Sequence, residues 1–437
     1  MSKLILNLIG CLLFVTSIGC RPHAGDVKIL IAGDTHGWIT PCGCAANQSG
    51  GLARRATIVR GADSYCDVLL LDAGGSALGT SPYQQFKLES LLHGLNKMGL
   101  AAHNIGGSET ELSPSELVKL GKATGVIWLS SNLTNRIGET VGTRVLQIQR
   151  GGIKIAVAGV IDPALVVHSD WQAADPKRAV LKAFDSIQAD VRIVLAYLDE
   201  GGLRRLAEAL PEVDYIVGGP TGQTMSPTRI GPVTVMSATN KGKFLAQLKL
   251  TSRPNSFQEL KAEITEVKSD LYENREQLVN LETYYSVLAG KDYTAQEAGL
   301  VTDLSNAKKG YAIAGTTACV GCHKQDDSIW EHSKHSHAWN VLVAKNAQFD
   351  PQCQQCHTTG YGQAGGFENV AQSSKLVHVG CENCHGPSQA HVLDPRKRTP
   401  FQAMEQCIRC HDHENSPQFN LDAYWIKVFH EGKKATQ

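Results

Sequence analysis

Four copies of Cys-x-x-Cys-His lie in the last third of the chain: Cys319–His323, Cys353–His357, Cys381–His385 and Cys407–His411. Two thiols at this spacing can form thioethers to a porphyrin while the adjoining imidazole ligates the iron, which is the attachment of a c-type haem. A lone Cys-x-x-Cys is ambiguous between redox thiols, zinc and haem. Four copies with His at one fixed offset select haem, because a cluster of zinc sites would not repeat that offset. The expected attachment points are Cys319, Cys322, Cys353, Cys356, Cys381, Cys384, Cys407 and Cys410. The expected proximal iron ligands are His323, His357, His385 and His411, giving four covalently bound c-type haems.

The opposite face of each iron decides its chemistry. Two axial imidazoles make a low-spin electron carrier, and one open position permits ligand or substrate chemistry. Seven other histidines follow His323: His332, His335, His337, His378, His391, His413 and His430. That is enough for bis-histidine ligation of all four irons. Ligation requires the neutral imidazole, so each such bond is acid-sensitive. Four porphyrins in so short a stretch would themselves form the core of the module at roughly 310–437. Regular structure there is expected to be short helices and irregular chain, one helix covering Ser328–Ala344.

Trp330-x-x-Ser333-x-His335-x-His337-Ala338 and Val379-Gly380-Cys381-Glu382-x-Cys384-His385-Gly386-Pro387, with His391 downstream, carry a resemblance to the cytochrome c-554/c-prime family of multihaem cytochromes. The resemblance implies His335, His378 and His391 as distal ligands. The fourth is left open among His413, His430, His332 and His337. Some members of that family leave one iron five-coordinate.

The chain has 437 residues, with 42 basic and 42 acidic side chains. The length points to two or three domains, and the charge balance gives no signal for a nucleic-acid partner. Residues 1–19 read as a targeting segment: an early Lys3, an apolar run from Leu4 to Val15, and small residues before Cys20. The run is short for a membrane span. Ser17-Ile18-Gly19-Cys20 resembles a bacterial lipobox, implying cleavage before Cys20 and lipidation of its thiol. An ordinary secretory signal is the other reading. Both imply export, to the bacterial periplasm or outer membrane with a lipid anchor in the first case, and redox proteins there would be the partners.

Residues 26–252 alternate apolar runs with helical stretches. Val27–Ala32 ends in Gly33-Asp34-Thr35-His36-Gly37, Val68–Leu71 in Asp72-Ala73-Gly74-Gly75, and Tyr215–Val217 in Gly218-Gly219. Ile153–Val160 and Val191–Leu195 are further strands, and Gln84–Met98 and Leu203–Leu210 are helical. This is a layered α/β domain, whose strand C-termini are the place for ligands. Asp34 and His36, Gly50-Gly51-Leu52-Ala53-Arg54-Arg55, Ser131-Asn132-Leu133 and Val213-Asp214-Tyr215-Ile216 resemble the 5'-nucleotidase-like metallophosphoesterases. The resemblance also shows what is missing. Gly75 stands where that family places a metal-bridging Asp, and Gly106-Gly107-Ser108-Glu109 where it has Gly-Asn-His-Glu. Tyr197 stands for a His, and Gly219-Pro220-Thr221-Gly222 for Gly-His-x-His. Two-metal hydrolysis needs both ions about 3.5–4 Å apart, and only Asp34 and His36 remain as a vestigial site. A fold without hydrolysis is expected.

Just after Asp34-Thr35-His36 comes Pro41-Cys42-Gly43-Cys44. Cys42 and Cys44 could chelate a soft metal together with Asp34 and His36, form a small strained redox-active disulfide, or bond Cys66 as a structural bridge. Loop and fold together resemble the nucleotidase-like redox (seleno)proteins, which adds to the redox reading.

From Phe257 the apolar residues follow a 3,4 alternation through Leu260, Ile264, Val267, Leu271, Leu278, Leu281, Tyr285 and Leu288, interrupted at Asn274. This predicts a coiled-coil-like helix over 255–290, either a homodimer stalk through 257–288 or a helix packed on its own chain. The leading reading is an exported tetrahaem electron carrier joined to a pseudo-phosphoesterase domain. A haem reductase acting on a small nitrogen or sulfur compound at one open iron, a residual phosphoesterase, and a passive spacer are the rivals.

Overall fold

The computed structural model describes residues 25–41, 48–63, 65–254, 256–300, 311–398, 401–412 and 415–430. The expectations for Cys20, Cys42, Cys44 and His413 lie outside these residues.

The strands are β1 (Asp26–Ala32), β2 (Asp67–Asp72), β3 (Leu100–Asn104), β4 (Trp128–Leu129), β5 (Leu133–Asn135), β6 (Val145–Arg150), β7 (Ile153–Ile161), β8 (Trp171–Ala173), β9 (Val191–Tyr197), β10 (Tyr215–Gly219), β11 (Met225–Ile230), β12 (Val233–Ser237), β13 (Phe244–Arg253) and β14 (Ser256–Glu266). One six-stranded sheet runs β14-β13-β1-β2-β3-β4 and a second runs β11-β12-β10-β9-β7-β6. Between them lies a core that includes Val27, Ile29, Ile31, Leu69, Leu71, Val157, Ile193, Leu195, Val217 and Leu248. The alternate residues of the same strands, such as Leu30 and Leu70, face the helices instead, which is why these runs are apolar on both faces.

Helices cover the outer faces. α1 (Leu52–Asp63), α2 (Pro82–Lys97) and α3 (Pro114–Thr124) lie against the first sheet, and α4 (Pro176–Phe184) and α5 (Glu200–Ala209) against the second. Ser81 and Ser113 start α2 and α3 with reciprocal capping boxes, each followed by Pro, the arrangement that satisfies orphan N–H groups at a helix start.

The expected helix over 255–290 is not one element. Its first part is β14, paired antiparallel with β13, and only Arg275–Lys291 is helical (α6). The pairing register jumps between Lys249–Lys261 and Leu250–Glu259, so Leu260 is a bulged extra residue. A bulge reverses the in–out phase of a strand. Phe257 faces the core before it, and Ala262 and Ile264 after it. That produces apolar spacings of three and four in a strand. The single seam on which a homodimer through 257–288 would rest is therefore absent. α6 packs on its own chain, with Gln277 donating to Gly94 O (2.9 Å) and Asn280 to Ser90 O (3.2 Å) on α2.

The C-terminal module consists of short pieces, including Lys324–Glu331, Ala338–Val343, Pro351–His357 and Cys381–His385. The expected helix Ser328–Ala344 is interrupted: His332 ends one helix, and His335–His337 is a 3-10 turn before the next. The apolar cluster of the module is small, built on Trp339, Leu342 and Phe367. The module is fastened to the N-terminal domain beside α2 and α6. Asp292, which ends α6, accepts from Val370 N (3.1 Å) and Ala371 N (2.8 Å), and Tyr83 and Tyr284 donate to Asp350.

Candidate functional sites

Asp34 and His36 sit on the loop after β1, both with left-handed backbone (φ 51° and 53°). Asp34 N donates to Gly74 O (2.7 Å) and His36 N to Gly75 O (2.9 Å), so the loops after β1 and β2 are laced together. One carboxylate oxygen of Asp34 accepts from the Thr239 hydroxyl, and the other lies 3.8 Å from His36 Nδ1. Together with Tyr197, Gly74 and Gly218-Gly219 these loops line a narrow crevice at the strand C-termini.

That crevice is filled by an aromatic ring. A Cβ at Gly75 would come within 2.9 Å of the Tyr197 ring and 3.0 Å of Asp34 Cα. At Gly106 it would meet Tyr197 Cδ2 at 2.7 Å, and at Gly107 Tyr197 Cε1 at 3.0 Å. These three glycines, of which Gly75 and Gly107 stand at ligand positions of the resembling family, thus make room for the Tyr197 ring. Tyr197 is 6% exposed, and burial, with Glu109 and Asp34 nearby, holds its phenol well above the usual range. Glu109 ties these loops together. It accepts from Gly75 N (2.9 Å), Ser76 N (2.5 Å), Ala77 N (3.2 Å) and Gly106 N (3.0 Å). His103 is fully buried beneath, bonded to Asn104 O (2.7 Å) and Ser76 Oγ (3.0 Å). Among the described residues no three His, Cys, Asp or Glu side chains converge as a metal site. The donor set does not fit a two-metal centre. Cys66 ends up at the start of β2, across the sheet from Asp34, its thiol buried and bonded to Ala62 O (3.4 Å).

The haem motifs are arranged differently. In the first and fourth, the His N donates to the first Cys carbonyl, His323 to Cys319 (2.9 Å) and His411 to Cys407 (2.9 Å). This helical turn places the imidazole beside the thiol pair. Three motif imidazoles face a second imidazole. His323 lies 6.4 Å from His391, His411 lies 6.1 Å from His335, and His385 lies 5.7 Å from His430, ring centre to ring centre. Two imidazoles on one ion, each with metal–nitrogen about 2 Å, put their ring centres about 6 Å apart. The residues fit axial ligation of a haem iron.

Second contacts fix the ring nitrogens. Facing Nδ1 are Asp326 Oδ2 for His323 (3.2 Å), Ala338 O for His357 (2.6 Å), Lys397 O for His391 (2.8 Å) and Val428 O for His430 (3.0 Å). An acceptor on Nδ1 leaves the Nε2 lone pair for iron. Burial pushes His335, His357, His385 and His411 below the ordinary imidazole range, which favours the neutral form.

His378 has the opposite polarity. Its Nδ1 accepts from Trp339 N (3.2 Å), at a left-handed backbone position (φ 76°). With that lone pair engaged, the neutral ring carries its proton on Nε2 and offers the iron nothing. His378 lies beside His337 and meets the Ala338–Trp339 peptide that His357 also contacts. His357 Nδ1 instead faces the carbonyl of the peptide whose N–H donates to His378. His332 turns its Nδ1 to Ser328 O (2.7 Å), within its own helix.

The thiols give the order of the motifs in space. Cys319 lies beside Cys381 and Cys356 beside Cys410. Cys384 lies beside Cys407. First adjoins third, third adjoins fourth, and fourth adjoins second.

Sequence reasoning missed two buried carboxylates. Glu382, inside the third motif, accepts from Ala314 N (2.9 Å), Gly315 N (2.7 Å) and Ser388 N (2.7 Å). Asp350 starts the helix of the second motif, and its place before Pro351 is the signal that could have found it.

Residues 318–386 match the family Cytochrome c554 and c-prime. A cytochrome c-554 of Nitrosomonas europaea is 30% identical over 139 residues, covering 24% of this chain and 59% of that protein. A snake venom 5'-nucleotidase of Gloydius brevicauda is 26% identical over 256 residues, covering 54% of this chain and 43% of its own length. The chain thus spans about half the length of these relatives. The N-terminal domain has the fold of solved phosphoesterases. A 5'-nucleotidase precursor from Thermus thermophilus superposes with a TM-score of 0.53 at 19% identity, covering 62% of this chain and 60% of its own. The calcineurin-like phosphoesterase YfkN from Bacillus subtilis gives 0.52 at 17%, covering 60% and 97%. The C-terminal module is accordingly similar to c554-type cytochromes, a likeness that implies covalently bound c-type haem, and the domain before it has a 5'-nucleotidase-like fold.

Proposed function

We propose that this chain is an exported, lipid-anchored tetrahaem c-type cytochrome that carries electrons, with an N-terminal phosphoesterase fold that no longer hydrolyses. The three facing imidazole pairs carry the reading. Bound haem supplies one-electron redox chemistry. The chain's own residues attach it through eight thiols, orient the axial imidazoles through their Nδ1 contacts, and favour their neutral form by burial. With haem held at each motif, electrons would pass between neighbouring motifs in the order first, third, fourth, second, to or from redox proteins of the periplasm or outer membrane. Cys20 carries the lipid, and several acyl chains would anchor it where one binds only marginally.

The test is a haem count by pyridine haemochrome with a spin-state spectrum of the purified protein. Four haems, at least three of them low-spin, are expected. Fewer than three low-spin haems sinks the carrier.

The engaged Nδ1 of His378, on the same peptide as His357 Nδ1, favours a second reading, a reductase of a small nitrogen or sulfur compound at the iron of the second motif. Carbon monoxide binding to one haem of the reduced protein supports it, and a wholly six-coordinate spectrum overturns it.

A further inference from the structure

Asp350 is the N-cap of the helix Pro351–His357 and is only 4% exposed. Its backbone carbonyl accepts from Cys353 N (2.9 Å), so it stands one turn before the first thiol of the second motif. Its side chain accepts from Gln352 N (3.0 Å), from Tyr83 Oη on α2 (2.6 Å) and from Tyr284 Oη on α6 (2.9 Å). Lys87 Nζ lies 4.0 Å away and donates to the Tyr83 hydroxyl (3.1 Å). Tyr83 and Tyr284 are fully or almost fully buried, and burial next to Asp350 holds both phenols protonated.

Capping alone does not require this arrangement. Asn or Ser caps a helix as well as Asp, and elsewhere in the chain half-buried Ser113 does so through its own turn. A carboxylate taken out of water is costly unless it is fully hydrogen-bonded. Here the donors come from two helices of the other domain, remote in sequence. A fixed negative charge at low dielectric acts strongly on a nearby redox centre, and charge and hydrogen bonding around a haem set its potential.

We propose that Asp350, held by Tyr83, Tyr284 and Lys87, sets the reduction potential of the haem attached at Cys353–His357. The proposal rests on the multihaem carrier reading. The pseudo-phosphoesterase domain then has a part in electron transfer, because α2 and α6 supply the donors that keep a charge beside one haem. The carboxylate opposes addition of an electron there, and the donors moderate it.

The experiment is a spectroelectrochemical titration of the full-length protein with its haems counted. Asp350→Asn keeps the cap and the shape and removes the charge. One of the four transitions is expected to move to higher potential by about 59 mV, a tenfold shift in that one-electron equilibrium. The other three stay in place. Tyr83→Phe removes a donor and leaves the charge, so the same transition moves down. Opposite signs are not what loosened packing would give. Where Asp350→Asn fails to hold four haems, Tyr83→Phe and Tyr284→Phe decide. Unmoved potentials in a four-haem variant overturn the proposal while leaving the carrier standing. Fewer than four haems in the unaltered protein sinks the tetrahaem reading instead.

Discussion

Gly75 and Tyr197 are fitted to each other: a Cβ on the glycine would lie 2.9 Å from the tyrosine ring. Gly75 also has φ +83°, a conformation that L residues adopt at a cost. Gly75→Asp, which restores the carboxylate of a metallophosphoesterase, is therefore expected to lower stability by about 2 kcal/mol through overpacking and backbone strain. Tyr197→His removes the overlapping ring edge, so the double variant should recover part of the loss. A coupling of at least about 0.5 kcal/mol in a double-mutant cycle is expected for residues in contact. Denaturant unfolding of the four proteins measures it, and strict additivity would refute the fit.

The imidazole pairs predict which histidines matter. His391→Ala, His335→Ala and His430→Ala should each convert one haem from low to high spin while leaving all thioethers intact, since none of the three is in an attachment motif. His378→Ala should leave the low-spin count unchanged, because its Nδ1 is engaged with Trp339 N. Electron paramagnetic resonance of the oxidised proteins checks this. A high-spin signal from His378→Ala would show the ring to be a ligand after all.

What could be read from the sequence follows from how local each signal is. The haem motifs are set by covalent spacing within five residues, and β1, β2, β7, β9 and β10 by apolar runs closed by Gly or Asp. The distal imidazoles are a matter of tertiary folding. His430 meets His385 across 45 residues, and nothing in the spacing distinguishes it from His332 or His337. The 257–288 pattern misled because the bulge at Leu260 reversed the strand phase and the remaining apolar residues belong to α6. Tyr197 was visible as a missing ligand, but its space-filling role depends on glycines remote in sequence.

Acid should undo the haem module before the rest. His335, His357, His385 and His411 have folded-state values pushed down by burial, against an unfolded reference near 6.5. Between the folded and unfolded values the unfolded chain binds more protons. The stability they contribute is thus complete above about pH 6.5 and is lost as pH falls through the folded values. Iron ligation of a neutral imidazole works in the same direction. Spectral titration on the acid side of about pH 6.5, the unfolded imidazole value, should show low-spin bands declining, with the thermal midpoint falling alongside. A midpoint that rises on acidification would contradict the burial argument.

Glu382 offers the sharpest stability test in the module. It is 4% exposed and sits between the two cysteines of the third motif. Its carboxylate gathers Ala314 N, Gly315 N and Ser388 N, tying the segment before the first motif to the segment after the third. Those are the motifs whose thiols meet at Cys319 and Cys381. Glu382→Ala leaves buried N–H groups without an acceptor, each at about 1–3 kcal/mol. Glu382→Gln keeps the shape and one acceptor oxygen, so it should lose less. The alanine variant is expected to unfold at least about 3 kcal/mol more easily and to be recovered with incomplete haem at the first and third motifs, read by mass spectrometry of the haem-bearing peptides. Full haem occupancy and unchanged stability would show that the Cys319–Cys381 contact forms without this clamp.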